Sequence, residues 1–251
     1  MISIDINCDM GESFGAWKMG DDESIMPLIT SANIACGFHG GDPSTIRRTV
    51  RRAVDAGVVI GAHPSLPDLM GFGRRNMKIT PDEMYDYIIY QAGAVEAFAR
   101  AAGARLHHVK AHGQLYNMAA TDQSLADAMA RAVSELGDGV QLYALSGSCM
   151  VVAARQTGIP VIGEVFADRS YQDDGTLTPR GRPGAMIEDE SRAVQQALRM
   201  VEQHEVASLA GRTVQVTPGT LCLHGDQPRA VAFASALRRA FAERGIAVKA
   251  P

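Results

Sequence analysis

The chain has 251 residues, of which 46% are hydrophobic, and it carries a formal net charge of -4 at pH 7. This length and composition are sufficient to bury a large core, and we expect a single domain over residues 1–251. The slightly acidic charge and the scattered arginines exclude a polyanion-binding surface, so we expect no nucleic-acid partner.

The amino-terminal sequence and the cysteines indicate a cytoplasmic protein. Residues 1–7 contain no basic side chain and meet an acidic one at Asp5, so we expect no signal peptide. No apolar run approaches the ~20 residues that a membrane helix needs, and no membrane partner is expected. The cysteines are widely spaced, at Cys8, Cys36, Cys149 and Cys222. That spacing contains no C-x-x-C pair and is typical of buried thiols in a reducing compartment.

Short β-branched runs alternate with helical stretches along the chain. The runs predict strands at 2–7, 31–35, 58–62, 106–111, 140–145, 160–166 and 220–224. Apolar residues at three- and four-residue steps predict helices at 43–56, 81–102, 121–136, 147–157, 187–203 and 227–244. The sequence TPDE at 80–83 is typical of a helix start with a capping box. Residues 211–216 could add a short strand or a hairpin.

The alternation of strands and helices predicts parallel strands joined by right-handed crossovers. About seven such units favour a closed or nearly closed (β/α) barrel over a doubly wound sheet. In a barrel, polar residues follow nearly every strand because the strand ends converge on one mouth. In a doubly wound sheet they concentrate at one switch point. Ionisable residues follow six of the seven predicted strands here, which favours the barrel.

Polar residues alternate along the first strand. Asp5, Asn7 and Asp9 are two residues apart, so all three side chains face the same side of the sheet. Buried carboxylates and amides are costly without partners, which favours a functional interpretation for Asp5 and Asn7. For Asp9, a capping or turn role before Gly11 is the alternative.

Four histidines stand at or just past predicted strand ends, at His39, His63, His112 and His224. Four on the same end indicate a shared pocket, in which neutral imidazoles suit acid/base work or metal ligation. Aspartates and histidines at barrel strand ends also resemble the arrangement of metal-dependent deacetylases and suit zinc or manganese. The sequence leaves the presence of a metal open.

Lys110 precedes His112 by two residues on one predicted strand, so the two side chains should face the same way. A buried lysine needs a carboxylate or an anionic ligand nearby, and Asp5, Glu164 and Asp168 are candidates. No lysine follows a glycine, so the phosphate-binding loop of many ATPases is absent. Any ATP must therefore bind at another kind of site or on another protein of a complex.

The strand-end segments together resemble a known family. They read DINCDMGE (5–12), SANIACGFH (31–39), GAHP (61–64), GFGRR (71–75), EVFADR (164–169) and HGD (224–226). In identity and order they resemble the LamB/YcsF family, the A subunits of 5-oxoprolinases, from residue 2 to about residue 249. Two departures are Ala111, where the family usually has proline, and the TPGT run at 217–220 before the last strand. Neither removes an ionisable group.

The resemblance implies the (β/α) barrel shared with glycoside hydrolases and polysaccharide deacetylases. It also implies a hydrolase activity, the ATP-dependent cleavage of 5-oxo-L-proline to L-glutamate, carried out together with subunits B and C. ATP would bind with or on those partners, and a divalent metal stays possible. The alternatives are a stand-alone metal-dependent amide hydrolase or deacetylase, and a partner subunit without catalytic activity.

The expected site residues fall into two groups. The catalytic group comprises Asp5, Asn7, Asp9, His63, Lys110, His112 and Glu164. The substrate-binding group comprises His39, Arg74, Arg75, Asp168, Arg169, His224 and Asp226. Our hypothesis is that Asp5, or failing that Asp9, is the base. His63 or His112 would act at the lactam oxygen, and Lys110 would stabilise the charge that develops there. The substrate carboxylate would be held by Arg74, Arg75 or Arg169.

Overall fold

A computed structural model describes residues 2–223, 225 and 229–251. Its strands are β1 Ser3–Met10, β2 Ser31–Ala35, β3 Val59–His63, β4 Leu106–Val109, β5 Gln141–Leu145, β6 Val161–Phe166, β7 Glu205–Ala207, β8 Thr213–Gln215, β9 Thr220–Leu223 and β10 Ala247–Val248. Its α-helices are α1 Asp22–Ile25, α2 Pro43–Ala56, α3 Pro81–Ala101, α4 Gly113–Thr121, α5 Gln123–Glu135, α6 Cys149–Thr157, α7 Glu190–Gln203 and α8 Ala230–Glu243.

Seven of the described strands close into a parallel barrel in the order β1, β2, β3, β4, β5, β6, β9. The barrel closes because β1 pairs with β9 on one side and with β2 on the other. Strand β10 extends the amino-terminal end of β1, where Ser3 pairs with Ala247. The predicted (β/α) barrel with about seven strands is confirmed.

The register of β1 determines which polar groups enter the barrel. Asp5 pairs with Thr220 at the start of β9, whereas Asp9, the penultimate residue of β1, pairs with Asn33 in the middle of β2. Asp5 therefore lies at the amino-terminal end of the barrel and Asp9 at its carboxyl end, with Asn7 between them. The intervening apolar residues of β1 belong to the hydrophobic core, and they are Ile4, Ile6, Cys8 and Met10.

The structure contains elements that the sequence pattern does not predict. The short helices α1 and α4 are two of them, and α4 follows His112 directly, without a side-chain capping bond that would mark its start. Residues 211–216, left open by the sequence, contain β8, which pairs antiparallel with β7. Within the described ranges, no helix is both long enough and apolar enough to cross a membrane.

The predicted start of helix α3 is confirmed with its capping box. The Thr80 hydroxyl accepts a bond from the Glu83 backbone N–H at 3.2 Å, and the Glu83 carboxylate accepts one from the Thr80 N–H at 2.7 Å. These two bonds satisfy backbone donors that a helix start otherwise leaves without partners. Helix α3 then packs over β3, which ends at His63, and over β4, which ends directly before Lys110.

We expect Thr80→Ala to lower the free energy of unfolding by about 1 kcal/mol, because the substitution removes the capping oxygen. Thr80→Ser keeps that oxygen and is the control, which should stay close to the wild type. Urea denaturation measures both. Equal destabilisation by the two substitutions would mean that the capping bond is not the source of the effect.

Candidate active site

A pocket opens at the carboxyl ends of the barrel strands. Its wall includes acidic, basic and imidazole groups from β1, β3 and β4 and from the segments that follow them, namely Asp9, Glu12, His63, Arg74, Lys110 and His112. Tyr116 of α4 and Phe166 of β6 also line it, together with Arg169 and Arg180 of the long segment after β6. Groups expected from separate strand ends therefore share one cavity.

The Lys110 ammonium occupies the centre of this arrangement. Its Nζ atom lies 2.9 Å from Asp9 Oδ1, 2.9 Å from Glu164 Oε1 and 3.0 Å from Asn7 Oδ1. It also donates to the Cys222 sulfur at 3.1 Å. Burial by itself would lower the pKa of Lys110, but the adjacent carboxylates outweigh burial and raise that pKa well above its ordinary value. Lys110 is therefore a fixed positive charge at neutral pH.

Asp5 lies beneath the pocket and does not line it. Its carboxylate accepts hydrogen bonds from the hydroxyls of Ser31, at 2.8 Å, and Thr220, at 2.6 Å, and from Thr30. Burial raises the pKa of Asp5, and those hydrogen bonds oppose the shift. Asp5 is connected towards the pocket through Thr220, which donates to Asp5 and accepts from Asn7 at 2.7 Å.

The site histidines have defined tautomers because two of them contact backbone carbonyls. His63 Nδ1 donates to the Lys110 carbonyl at 2.7 Å, and His112 Nε2 donates to the Phe72 carbonyl at 2.9 Å. A carbonyl can only accept, so the protons lie on those nitrogens. Burial, followed by the neighbouring histidines, lowers the pKa of His112 well below its ordinary value, so this imidazole is neutral.

Gly73 allows the loop after β3 to close over the histidines. Its φ angle of 63° is in the left-handed region, and a Cβ atom there would lie 2.1 Å from Ser65 Oγ and 2.9 Å from His112 Cδ2. Only glycine fits this position without displacing these groups. The GFGRR segment therefore contributes backbone shape to the site, in addition to its arginines.

Glu12 is a site residue absent from the expected set. Its Oε1 atom lies 3.3 Å from His39 Nε2 and 3.5 Å from His112 Nδ1. The ligand atoms of Glu12, His39, His63 and His112 all lie within 4.8 Å of one another, and this buried cluster could hold a metal ion. Glu12 follows the end of β1 by two residues, and the turn at Gly11 directs it back over the barrel.

Tyr116 is a second residue that the sequence reasoning missed. Its hydroxyl donates to Glu164 Oε2 at 2.7 Å, while Glu164 Oε1 faces Lys110. Glu164 is fully buried, so these two partners compensate the cost of placing its charge there. Tyr116 belongs to α4, which the sequence pattern did not reveal.

The arginines in and near the site fall into two groups, those that line the pocket and one that does not. Arg74, Arg169 and Arg180 line the pocket, and Arg169 is held by a bond from its Nη2 to the Thr178 carbonyl at 2.7 Å. Burial and the neighbouring Arg180 lower the pKa of Arg169 to about 10, so it stays charged at neutral pH. Arg75 instead pairs with Asp68, and its side chain is 67% exposed outside the pocket wall.

Two other expected substrate-binding residues, His39 and Asp168, do not line this pocket. His39 is buried beside the pocket, with its ring stacked on His112 at a centroid distance of 3.8 Å. Asp168 lines a separate cavity together with Ile187 and Phe233. His224 and Asp226 lie outside the described residues.

Serine and cysteine nucleophiles receive no support from the geometry. Residues 11–15 read GESFG, the spacing of a nucleophile elbow, but a turn rather than a helix follows, and Ser13 Oγ bonds to the Met19 backbone. Cys36 donates to the Ile34 carbonyl at 3.2 Å, and burial raises the pKa of its thiol. A buried thiol with a raised pKa is unreactive.

The sequence that forms this site matches a known protein family. The sequence profile described as "LamB/YcsF family" matches residues 4–251. The chain belongs to the LamB/YcsF family. The segments that carry the family resemblance supply residues to one pocket: Asp9 and Glu12 from DINCDMGE, His63 from GAHP and Arg74 from GFGRR.

Relatives and solved structures extend this result. The chain is 57% identical over 248 residues to the 5-oxoprolinase A subunit of Bordetella parapertussis, covering 99% of this chain and 98% of that protein. It is similar to the crystal structure of a lactam utilization protein from Thermus thermophilus, with a TM-score of 0.93, 46% identity and full coverage of both chains. A peptidoglycan N-acetylglucosamine deacetylase domain from Eubacterium rectale shares the fold alone, with a TM-score of 0.52 and 10% identity over 99% of this chain and 87% of that one.

We expect Lys110→Met to lower the free energy of unfolding by about 3–5 kcal/mol, because it leaves the buried Glu164 and the half-buried Asp9 carboxylates without their cation. Adding Glu164→Gln should recover part of that loss. Urea denaturation of the two single variants and the double variant gives the coupling energy. Strictly additive effects would show that the Lys110–Glu164 pair does not contribute as an ion pair.

Proposed function

We propose that this chain is the A subunit of an ATP-dependent 5-oxoprolinase, which opens 5-oxo-L-proline to L-glutamate together with subunits B and C. The observation that carries the proposal is a single pocket containing a fixed ammonium, two carboxylates, two imidazoles of defined tautomer and three arginines. The names of its relatives, a 5-oxoprolinase A subunit and a lactam utilization protein, point to the same chemistry.

The chemical difficulty is the stability of the lactam. Amide resonance makes the carbonyl carbon a poor electrophile, so uncoupled hydrolysis is slow. Transfer of a phosphoryl group from ATP to the carbonyl oxygen, with loss of the ring N–H proton, would activate that carbon. Water then adds to that carbon, and the ring C–N bond breaks as the nitrogen is protonated, which leaves the acyl phosphate of glutamate. A second water hydrolyses this acyl phosphate, and phosphate leaves. The products are glutamate, ADP and phosphate.

The pocket offers groups for each proton and charge. Among the described residues, Asp9 and Glu12 are the carboxylates that line it, and we assign the proton acceptor to this pair rather than to Asp5, which is beneath the pocket. The Lys110 ammonium would stabilise negative charge that develops on the lactam oxygen. His112 lies beside Glu12, within reach of a proton relay to the same oxygen.

The arginines suit the carboxylate of 5-oxoproline. Arg74, Arg169 and Arg180 line the side of the pocket formed by the loops, and a planar guanidinium binds a carboxylate through two parallel hydrogen bonds. A carboxylate held there would direct the lactam ring towards Lys110 and Asp9. Arg75 is not part of this proposal because it pairs with Asp68.

The proposal also covers where ATP binds and in which compartment the chain works. The sequence lacks the common phosphate-binding loop, so we infer that ATP binds with or on subunits B and C. The cysteines Cys8, Cys36, Cys149 and Cys222 are free thiols, which supports a reducing cytoplasm as the compartment.

The test is 5-oxoproline-dependent ATP hydrolysis, measured for the purified chain with and without its B and C partners. Activity should require all three subunits. Asp9→Asn and His112→Ala should each lower kcat by about 100-fold or more if these groups transfer protons. Arg100→Gln, an exposed change on α3, is the matched control. Near-wild-type turnover in both pocket variants would remove the proton-transfer role from this chain.

A second candidate is a stand-alone metal-dependent amide hydrolase, which the buried cluster of Glu12 and three histidines favours. Hydrolysis of an amide without ATP, abolished by a chelator, would support that function and contradict the first. A chain that only stabilises the complex would give wild-type activity with every pocket substitution.

A further inference from the structure

Two ring nitrogens that do not contact backbone carbonyls face each other inside the pocket. His63 Nδ1 and His112 Nε2 carry ring protons, since both donate to backbone carbonyls. The opposite nitrogens, His63 Nε2 and His112 Nδ1, are therefore the positions from which these rings can bind a cation, and they lie 3.0 Å apart. Two unprotonated nitrogens at this distance repel each other unless a cation lies between them.

Two carboxylate oxygens converge on the same pair of nitrogens. Asp9 Oδ2 lies 3.2 Å from His63 Nε2, and Glu12 Oε1 lies 3.5 Å from His112 Nδ1. The other oxygen of Asp9 is already engaged, accepting from Lys110 and from Asn33 at 2.8 Å. Lys110 also contacts Glu164, so its single charge is shared by two carboxylates.

We propose that a divalent first-row transition ion, of the zinc or manganese class, binds to His63 Nε2, His112 Nδ1 and Asp9 Oδ2. Tetrahedral bonds of 2.0–2.1 Å place neighbouring ligand atoms about 3.3 Å apart. The separations of 3.0 and 3.2 Å are close to that value. Two imidazoles and a carboxylate are a ligand set that suits these ions.

His63 and His112 make the hydrogen bonds that are typical of metal-ligating histidines. In metal sites the non-ligating ring nitrogen typically donates to a carbonyl or carboxylate, which fixes the tautomer and the ring orientation. The carbonyls of Lys110 and Phe72 do this for His63 and His112. Three protein ligands leave one position open towards the pocket, where such an ion would polarise a carbonyl or a water molecule.

His39 does not belong to the ligand set, although it lies close by. Its ring is stacked on His112, with a centroid distance of 3.8 Å and an angle of 5° between the planes. An imidazole lone pair lies in the plane of its ring, so an ion in the plane of His112 is far out of the plane of His39. His39 Nε2 instead faces Glu12 at 3.3 Å, and we assign it the role of positioning that carboxylate beside the ion.

The inference does not depend on the lactam substrate and is tested by binding alone. The full chain, freed of metal by dialysis against a chelator, is titrated separately with Zn²⁺ and Mn²⁺ in a calorimeter. We expect one ion per chain, with His63→Gln and His112→Gln each weakening the affinity by about 100-fold or more. The control is Arg100→Gln, an exposed change on α3, which should bind like the wild type. His39→Phe keeps the stacked ring without its nitrogens and should still bind one ion per chain. Circular dichroism checks the fold of each variant.

A second measurement needs no variant. Electron spin echo modulation of Cu²⁺ bound to the wild-type chain counts coordinated imidazoles, and two are expected. Three imidazoles, or loss of binding in His39→Phe, would overturn the ligand set. Failure of the wild-type chain to bind any of these ions stoichiometrically would overturn the site itself. A proton shared between His63 Nε2 and His112 Nδ1 would then explain their separation of 3.0 Å. Neither result bears on the oxoprolinase assay, which is measured with substrate and partners.

Discussion

The Lys110 ammonium is the interaction on which the rest of the site depends. Lysine is seldom fully buried, and here it is retained because Asp9, Glu164 and the Asn7 amide oxygen surround it. These partners come from strands β1 and β6, and Lys110 itself follows β4, so its charge links three separate strands of the barrel wall. Its main-chain carbonyl also fixes the tautomer of His63. One residue therefore sets charge balance and imidazole orientation together.

A polar column through the barrel supports that centre from below. Tyr143 and Ser31 share a hydrogen bond near Asp5 at the amino-terminal end, and Asn33 near the carboxyl end donates to both Asn7 and Asp9. Barrel interiors are usually filled with branched apolar side chains. This barrel instead places hydroxyls and amides where each buried charge needs a partner, which is the condition for burying charge at tolerable cost. Asp5 fits this supporting role.

The sequence predicted the architecture and much of the pocket because both follow from periodic patterns. Alternation along β1 placed Asp5, Asn7 and Asp9 on the inner face, and the two-residue step from Lys110 to His112 brought both to the pocket. Register was not readable from that pattern. Asp5 and Asp9 are equivalent by alternation, and only the pairing with Thr220 and Asn33 separates the base of the barrel from its mouth.

Residues outside the regular strands were harder to place. Glu12 reaches the pocket through a turn at Gly11, and Tyr116 through a helix that has no capping signal. Arg74 and Arg75 are adjacent in sequence, yet one lines the pocket while the other pairs with Asp68. Loop geometry decides such cases, and a local sequence pattern does not specify it. The strand ends determine where the pocket lies, and the loops determine which additional side chains line it.

The central claim is that side chains from separate strand ends form one cavity that receives a lactam. A crystal structure of the chain with 5-oxo-L-proline bound tests it most directly. The account predicts the lactam ring beside Lys110 and Asp9, with its carboxylate towards Arg169 and the neighbouring pocket arginines. A ligand bound elsewhere on the chain, with this pocket left without it, would contradict the account.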